Sequence, residues 1–241
     1  MPTKILKKMK NKFILFCCAV LLVACSKSHP VYIGAEYVGK KYTADPLGEE
    51  KFPDLDPLIR FDAFDCTTFV ETVLADGDVQ KLNKIRYTGG VPDFVQRNHF
   101  IETDWLSNNS DIVKNVSNQY APTAVQTVTI DKKNWFKLTH KTDTDFAPRT
   151  ARLEYIPYKY AADIRVAAPV VVLFLRDNPK IRDKIGTDLA VRHMGFLMPD
   201  GTLRHASRRA GAVVDVDFRK YVQRMMESPK NLGIMILEIK K

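Results

Sequence analysis

The sequence predicts a fold of mixed α and β elements, and three observations predict it. Residues 65–75 set Phe69 with Val73 and Val70 with Leu74 four apart behind Asp65, a residue type whose side chain caps helix N-termini. Residues 168–175 form a continuous apolar run of strand length, as a strand buried on both faces requires. Residues 191–198 and Thr202–Ser207 flank Pro199-Asp200-Gly201, the pattern of an antiparallel hairpin.

At the N-terminus, Lys4, Lys7, Lys8, Lys10 and Lys12 precede an apolar run, 13–24, with no acidic residue among them. The run is too short to span a bilayer comfortably and reads as an export signal. It ends in Leu22-Val23-Ala24-Cys25, which resembles the bacterial lipobox and so implies cleavage before Cys25 and a diacylglycerol on its sulfur. Ser26 and Lys27 follow with no acid, which resembles lipoproteins passed on to the outer membrane. The expected organisation is a signal peptide over 1–24, a lipidated cysteine and tether over 25–32, and a single domain over 33–241. No repeat, low-complexity block or linker divides that last segment. It is long enough for one substantial core, and a monomer is expected.

The chain carries a formal charge of +9, but five of those charges are the signal lysines, leaving about +4 after processing. No basic stripe with interleaved aromatics occurs, so the charge is no argument for a nucleic-acid partner and none is expected. Cys17 and Cys18 fall in the discarded segment and Cys25 in the lipid anchor. Cys66 is then the single free thiol, and no intramolecular disulfide can form.

Cys66 stands in the first turn of the helix behind Asp65. Unpaired amides and the positive end of the helix dipole are expected to lower its pKa toward neutrality and to offer donors to an oxyanion. In the hairpin, a three-residue loop makes Met198 face Thr202, which sets His193 opposite Ser207 and His205 opposite Gly195. Both histidines then share one face, whereas a two-residue Asp-Gly turn would separate them. In the first register Cys66 is the expected nucleophile, His193 the base and acid, and His205 the group that fixes the imidazole tautomer. Gly195 would leave room for a substrate backbone. The polar stretch 108–145, with a strand at Ala124–Ile130, reads as an elaborated insertion.

At these residues the chain resembles the NlpC-type, papain-like cell-wall hydrolases. The matching segments are Asp65-Cys66-Thr67-Thr68-Phe69-Val70, His193-Met194-Gly195-Phe196 and Leu203-Arg204-His205-Ala206-Ser207. More narrowly, the run from Phe64 to Glu71, with Arg97-Asn98-His99-Phe100 and Asp104-Trp105, is similar to the N-acetylmuramoyl-L-alanine amidase-like branch. The resemblance covers roughly residue 35 to the C-terminus. It implies a papain-like α+β fold, with the cysteine helix packed on an antiparallel sheet and a family-specific insertion, and a Cys66, His193, His205 triad. It also implies cleavage of the amide between the muramic acid lactyl group and L-alanine in muropeptides, 1,6-anhydro forms being favoured.

Substrate contacts are expected at Tyr42, as a donor to the tetrahedral intermediate, and at Trp105, as a flat face for a sugar. Asn98 and His99 are expected as hydrogen-bonding groups, and Ser207 is expected as a further substrate contact. Trp135, His140 and His29 read as structural or solvent residues. The expected partners are peptidoglycan fragments and, through the lipid anchor, a membrane; no cofactor or metal is expected.

Three other readings use the same residues. One is a D-glutamyl stem-peptide endopeptidase of the same fold. Another is a Cys/His/His zinc site with an open fourth position. The last is a silent lipoprotein that binds cell-wall fragments. No P-loop, Rossmann fingerprint, Gly-x-Ser-x-Gly elbow or His-Glu-x-x-His motif occurs.

Overall fold

The computed structural model describes residues 33–240. The export signal, Cys25, the tether and His29 lie outside the described residues. In chain order the regular elements are β1 (Lys41–Tyr42), β2 (Ala63–Phe64), α1 (Cys66–Leu74), α2 (Val79–Arg86), α3 (Leu106–Asn108), β3 (Val113–Asn115) and β4 (Ala124–Ile130). There follow α4 (Lys132–Trp135), β5 (Arg149–Pro157), β6 (Val170–Arg176), α5 (Ile181–Ile185), β7 (Val191–Leu197), β8 (Thr202–Ser207), β9 (Ala212–Asp217), α6 (Phe218–Met226) and β10 (Asn231–Ile239).

The strands form one sheet in the order β2-β1-β9-β8-β7-β6-β10-β5-β4, with β3 also paired to β10. Its pairings are antiparallel except that of β1 with β2. The fold is therefore α+β. The apolar run anticipated over 168–175 becomes β6 at the sheet's centre, where Val170 to Leu175 are all buried. A strand covered on both faces needs such a run, and two apolar layers cover this one. One contains Phe69 and Val70 of α1 with Leu173, Met194 and Phe196. The other contains Phe218 and Val222 of α6 with Val172, Phe174, Leu197 and Leu203.

Aspartates start the main helices. Asp65 accepts the Thr68 amide at 2.8 Å while Thr68 Oγ1 accepts the Asp65 amide at 3.0 Å, a reciprocal box that fixes Cys66 as the first residue of α1. Asp78 and Asp217 cap α2 and α6 one-sidedly, each accepting a single amide, from Lys81 and Lys220. Each such cap contributes about 1 kcal/mol.

The stretch 108–145 is not an appendage to the sheet. Its strand β4 runs over Ala124–Ile130 as anticipated, pairs with β5 from Ala124↔Tyr155 to Ile130↔Arg149 and supplies the sheet's edge. Val128 and Ile130 are buried in the α1-side core, so the polar composition of this stretch belongs to its loops and to one face of its strand.

Candidate active site

Two registers were open for the β7–β8 hairpin, and the structure adopts the one that puts both histidines on one face. Phe196 pairs with Arg204 and Leu197 with Leu203, and the Met198 amide donates to the Thr202 carbonyl at 2.8 Å across a three-residue loop. By alternation Met194 and Phe196 turn toward α1, while His193, Gly195 and Leu197 turn toward α6. His193 Nε2 lies 2.7 Å from His205 Nδ1.

Gly195 serves a different end from the one expected. A Cβ there would stand 2.7 Å from the Arg204 carbonyl oxygen and 2.8 Å from His205 Cβ. The absent side chain lets the partner strand and His205 approach, and it leaves no gap for a substrate backbone.

The ladder between β7 and β8 stops after Phe196↔Arg204, although β8 stays paired with β9 as far as Ser207↔Ala212. The N-terminus of α1 faces this opening. The Met194 amide, no longer engaged by β8, donates to the Cys66 sulfur instead, and the Thr67 hydroxyl lies 4.0 Å from the same atom. No hydrogen bond joins Cys66 Sγ to either imidazole among the described residues.

The thiol is not acidified as its helix position suggested. Burial pushes it up to about 11, reinforced by the negative charge of Asp65, against the smaller effects of the Met194, Thr67 and Cys66 donors. Desolvation of a thiolate outweighs the helix-end amides when the sulfur is enclosed. The same burial, with His205 adjacent, draws His193 down to about 3, and burial with Arg224 nearby draws His205 down to about 4. At neutral pH the resting site therefore holds a thiol and two neutral imidazoles.

Two tyrosines frame this group. Tyr42 is raised above the ordinary phenol range by burial first, then by the neighbouring Cys66 and Asp65. Tyr221 of α6 is a member that the motifs did not indicate. Its ring centroid lies 6.3 Å from that of His193, 5.4 Å from that of His205 and 5.0 Å from that of Phe174. Burial pushes its phenol up to about 12, and Cys66 adds to the rise. A signal for it exists in the sequence: Phe218, Tyr221, Val222 and Met225 follow Asp217 at helical spacing, so the tyrosine falls on the buried stripe.

The other expected substrate contacts are corrected. Trp105 is fully buried, and its Nε1 donates to Glu71 Oε1 at 3.1 Å, so it offers no face to a sugar. Asn98 is buried, with Nδ2 donating to the Ile85 carbonyl at 2.9 Å and Oδ1 facing the Thr88 hydroxyl. His99 Nε2 lies 2.6 Å from the Phe94 carbonyl oxygen, and its ring packs among Phe94, Trp135, Phe136 and His140. All three act as braces. Arg97 anchors their segment through Glu49 at 2.7 Å and Asp54 at 2.6 Å. Ser207 Oγ accepts the Ala210 amide at 3.2 Å and closes the turn between β8 and β9. Trp135 and His140 belong to the His99 aromatic cluster. Among the described residues, no group of three or more His, Cys, Asp or Glu side chains is placed to hold a metal ion.

The sheet and its flanking helices place the chain in a recognisable fold class. A solved structure of a Legionella pneumophila protein shares the fold with a TM-score of 0.79 at 25% identity, covering 88% of each chain. A Bacteroides uniformis N-acetylmuramoyl-L-alanine amidase does so with a TM-score of 0.65 at 23% identity over 88% of this chain and 99% of that one, and in a second structure with a TM-score of 0.66 at 22% identity over 88% and 98%. A Bacteroides fragilis protein whose name proposes a xylanase matches with a TM-score of 0.65 at 22% identity, over 86% and 99% of the two chains. At these identities the last two likenesses concern the fold alone. No curated protein matches the sequence.

The family model AmiA-like, described as N-acetylmuramoyl-L-alanine amidase-like, matches residues 32–228. The chain belongs to this family of amidase-like cell-wall hydrolases.

Proposed function

We propose that the protein is a cysteine amidase that hydrolyses the bond between N-acetylmuramic acid and L-alanine in muropeptides, 1,6-anhydro forms included, during peptidoglycan turnover or recycling. The observation that carries the reading is a thiol, the only one among the described residues, at a capped helix start, bonded by the amide of Met194, with an imidazole pair 2.7 Å apart on the adjacent strands. The family supports the substrate class. The domain is the segment 33–241, papain-like in its arrangement of helix, sheet and Cys-His-His order. It acts as a monomer in the periplasm, held to the outer membrane through a lipid on Cys25.

His205 occupies Nε2 of His193, which leaves His193 Nδ1 as the base nitrogen. For that atom to carry a lone pair, His193 Nε2–H donates to His205 Nδ1. Because thiol and imidazole rest neutral, proton transfer from Sγ to His193 accompanies attack on the lactyl carbonyl carbon and does not precede it. Amides of the α1 first turn and the neutral Tyr42 phenol are the donors for the oxyanion. His193 then returns the proton to the departing L-alanine nitrogen as the C–N bond breaks, leaving a thioester on Cys66. Water, deprotonated by His193, attacks the thioester and releases the lactyl carboxylate and the thiol.

The test is mass spectrometry of defined muropeptides, with anhydro and with reducing sugar ends, incubated with the chain from Ser26 onward and with Cys66→Ala. Release of free stem peptide by the parent alone is expected. Cleavage beyond D-glutamate would make the protein an endopeptidase, and intact substrate would make it a binder of cell-wall fragments.

A further inference from the structure

The segment 97–105 forms a cavity wall, but not through the side chains first expected to touch substrate. Residues Ile101–Trp105 make a π-helical turn, with the Trp105 amide donating to the Phe100 carbonyl at 3.0 Å. Such wide turns recur at functional sites. Its Thr103 and Asp104 line a cavity of about 330 Å³ together with Ser107, Lys132, Phe146 and Arg149. That volume is at the small end for ligand sites and suits a short piece of peptide better than a glycan chain.

The charges in this cavity do not cancel. Lys132 is nearly buried, its ammonium 3.1 Å from Asp104 Oδ2 and 3.1 Å from the Arg97 carbonyl oxygen, lying 4.6 Å from the Phe146 ring centroid. Lys132 thus offsets the charge of Asp104, although Asp104 Oδ2 has no hydrogen-bond partner among the described residues. Arg149 is the surplus cation: its side chain is 57% exposed, and it reaches Asp104 Oδ1 only at 3.5 Å and Ser107 Oγ only at 3.5 Å. A guanidinium with five donors, two of them loosely engaged, over a floor of Ile130, Phe146 and Ala147 is built to receive a planar anion. A neutral saccharide would have no use for the surplus charge.

The cavity is also wired to the catalytic helix. Lys132 donates to the Arg97 carbonyl, the Arg97 guanidinium reaches Asp45 at 3.4 Å, and the Asp45 amide donates at 3.2 Å to Asp65, the residue that caps Cys66. A chain of polar contacts through Arg97 and Asp45 thus runs from the cavity floor to the cap of α1.

We infer that this cavity, with Arg149 as its principal donor, is a carboxylate site that holds an acidic group of the stem peptide beyond the scissile amide. The inference rests on the amidase reading for the identity of the peptide, and the cavity alone supplies the preference for an anion.

Titration calorimetry of the parent protein with free stem peptide, in its carboxylate form and with the carboxylates converted to carboxamides, tests it. The carboxylate form should bind about tenfold more tightly, the scale of one charge-assisted bidentate contact. Arg149→Ala should erase that preference with an unchanged thermal midpoint, since Asp104 keeps Lys132, and Arg149→Lys should keep part of it. Equal binding of the two peptides, or a preference that survives Arg149→Ala, overturns the assignment. Hydrolysis of muropeptides without carboxylate preference would sink the site and spare the amidase. Carboxylate-selective binding without hydrolysis would do the reverse.

Discussion

Two histidine clusters of this molecule have nearly the same surroundings and different prospects. His99 and His140 sit among Phe94, Trp135 and Phe136, and His193 and His205 sit among Phe174 and Tyr221. Burial lowers the basicity of all four rings. In the first cluster the polar contact of His99 ends at a backbone carbonyl, which cannot titrate. In the second, one ring nitrogen meets another imidazole, at the mouth of a strand opening that also holds a thiol. A depressed pKa is common to both clusters, and the partner of the ring nitrogen separates a brace from a base.

The sharpest way to break this comparison is by truncation. Cys66→Ala and His193→Ala should each lower kcat/KM by about 10⁴-fold or more, the usual scale for a nucleophile and its base. His99→Ala should instead lower the thermal midpoint and leave kcat of the folded fraction within about threefold. Steady-state kinetics beside calorimetry would decide, and equal losses of kcat at His99 and His193 would abolish the distinction. A smaller effect is expected at His205: alanine there should reduce kcat by about 10²-fold, and glutamine should restore part of it by accepting the His193 Nε2 proton.

The ionisation of the thiol gives the next test. With Cys66 pushed up to about 11, alkylation by iodoacetamide should be slow at pH 7 and climb without a plateau through pH 10. A plateau already reached near pH 6 would reveal a thiolate–imidazolium pair at rest and reverse the proton order proposed above.

The smallest effect concerns acid stability. His193 is drawn down to about 3, His205 to about 4, and His99 well below its ordinary value. Below about pH 6.5 the unfolded chain binds protons that the native state refuses, so stability present above that pH is lost as pH falls. Urea midpoints from pH 8 to 4.5 should therefore decline for the parent. They should decline less steeply in His99→Phe, which removes one of these refusing groups.

What could be read in advance was what neighbours in sequence decide. The start of α1 follows from Asp65 and Thr68, three residues apart, and the register of the hairpin from the length of one loop. Burial could not be read this way, because it depends on distant elements. Trp105 is enclosed because Glu71, 34 residues away, accepts its indole N–H. Tyr221 reaches the imidazoles because α6 folds back across the hairpin's outer face. The thiol was misjudged for the same reason: the helix end is a local influence, and the enclosure that overrides it is assembled by the whole fold.

The Met194 amide, which β8 leaves to the Cys66 sulfur, bears on anyone who wishes to capture this protein with an intact ligand. A methyl group at position 66 would leave that donor with nothing to bond and would invite the two strands to zip shut across the pocket mouth. An oxygen at the same place would keep the donor occupied and the strands apart. For soaking or co-crystallisation, Cys66→Ser is thus the inert form to prepare, with alanine reserved for kinetics.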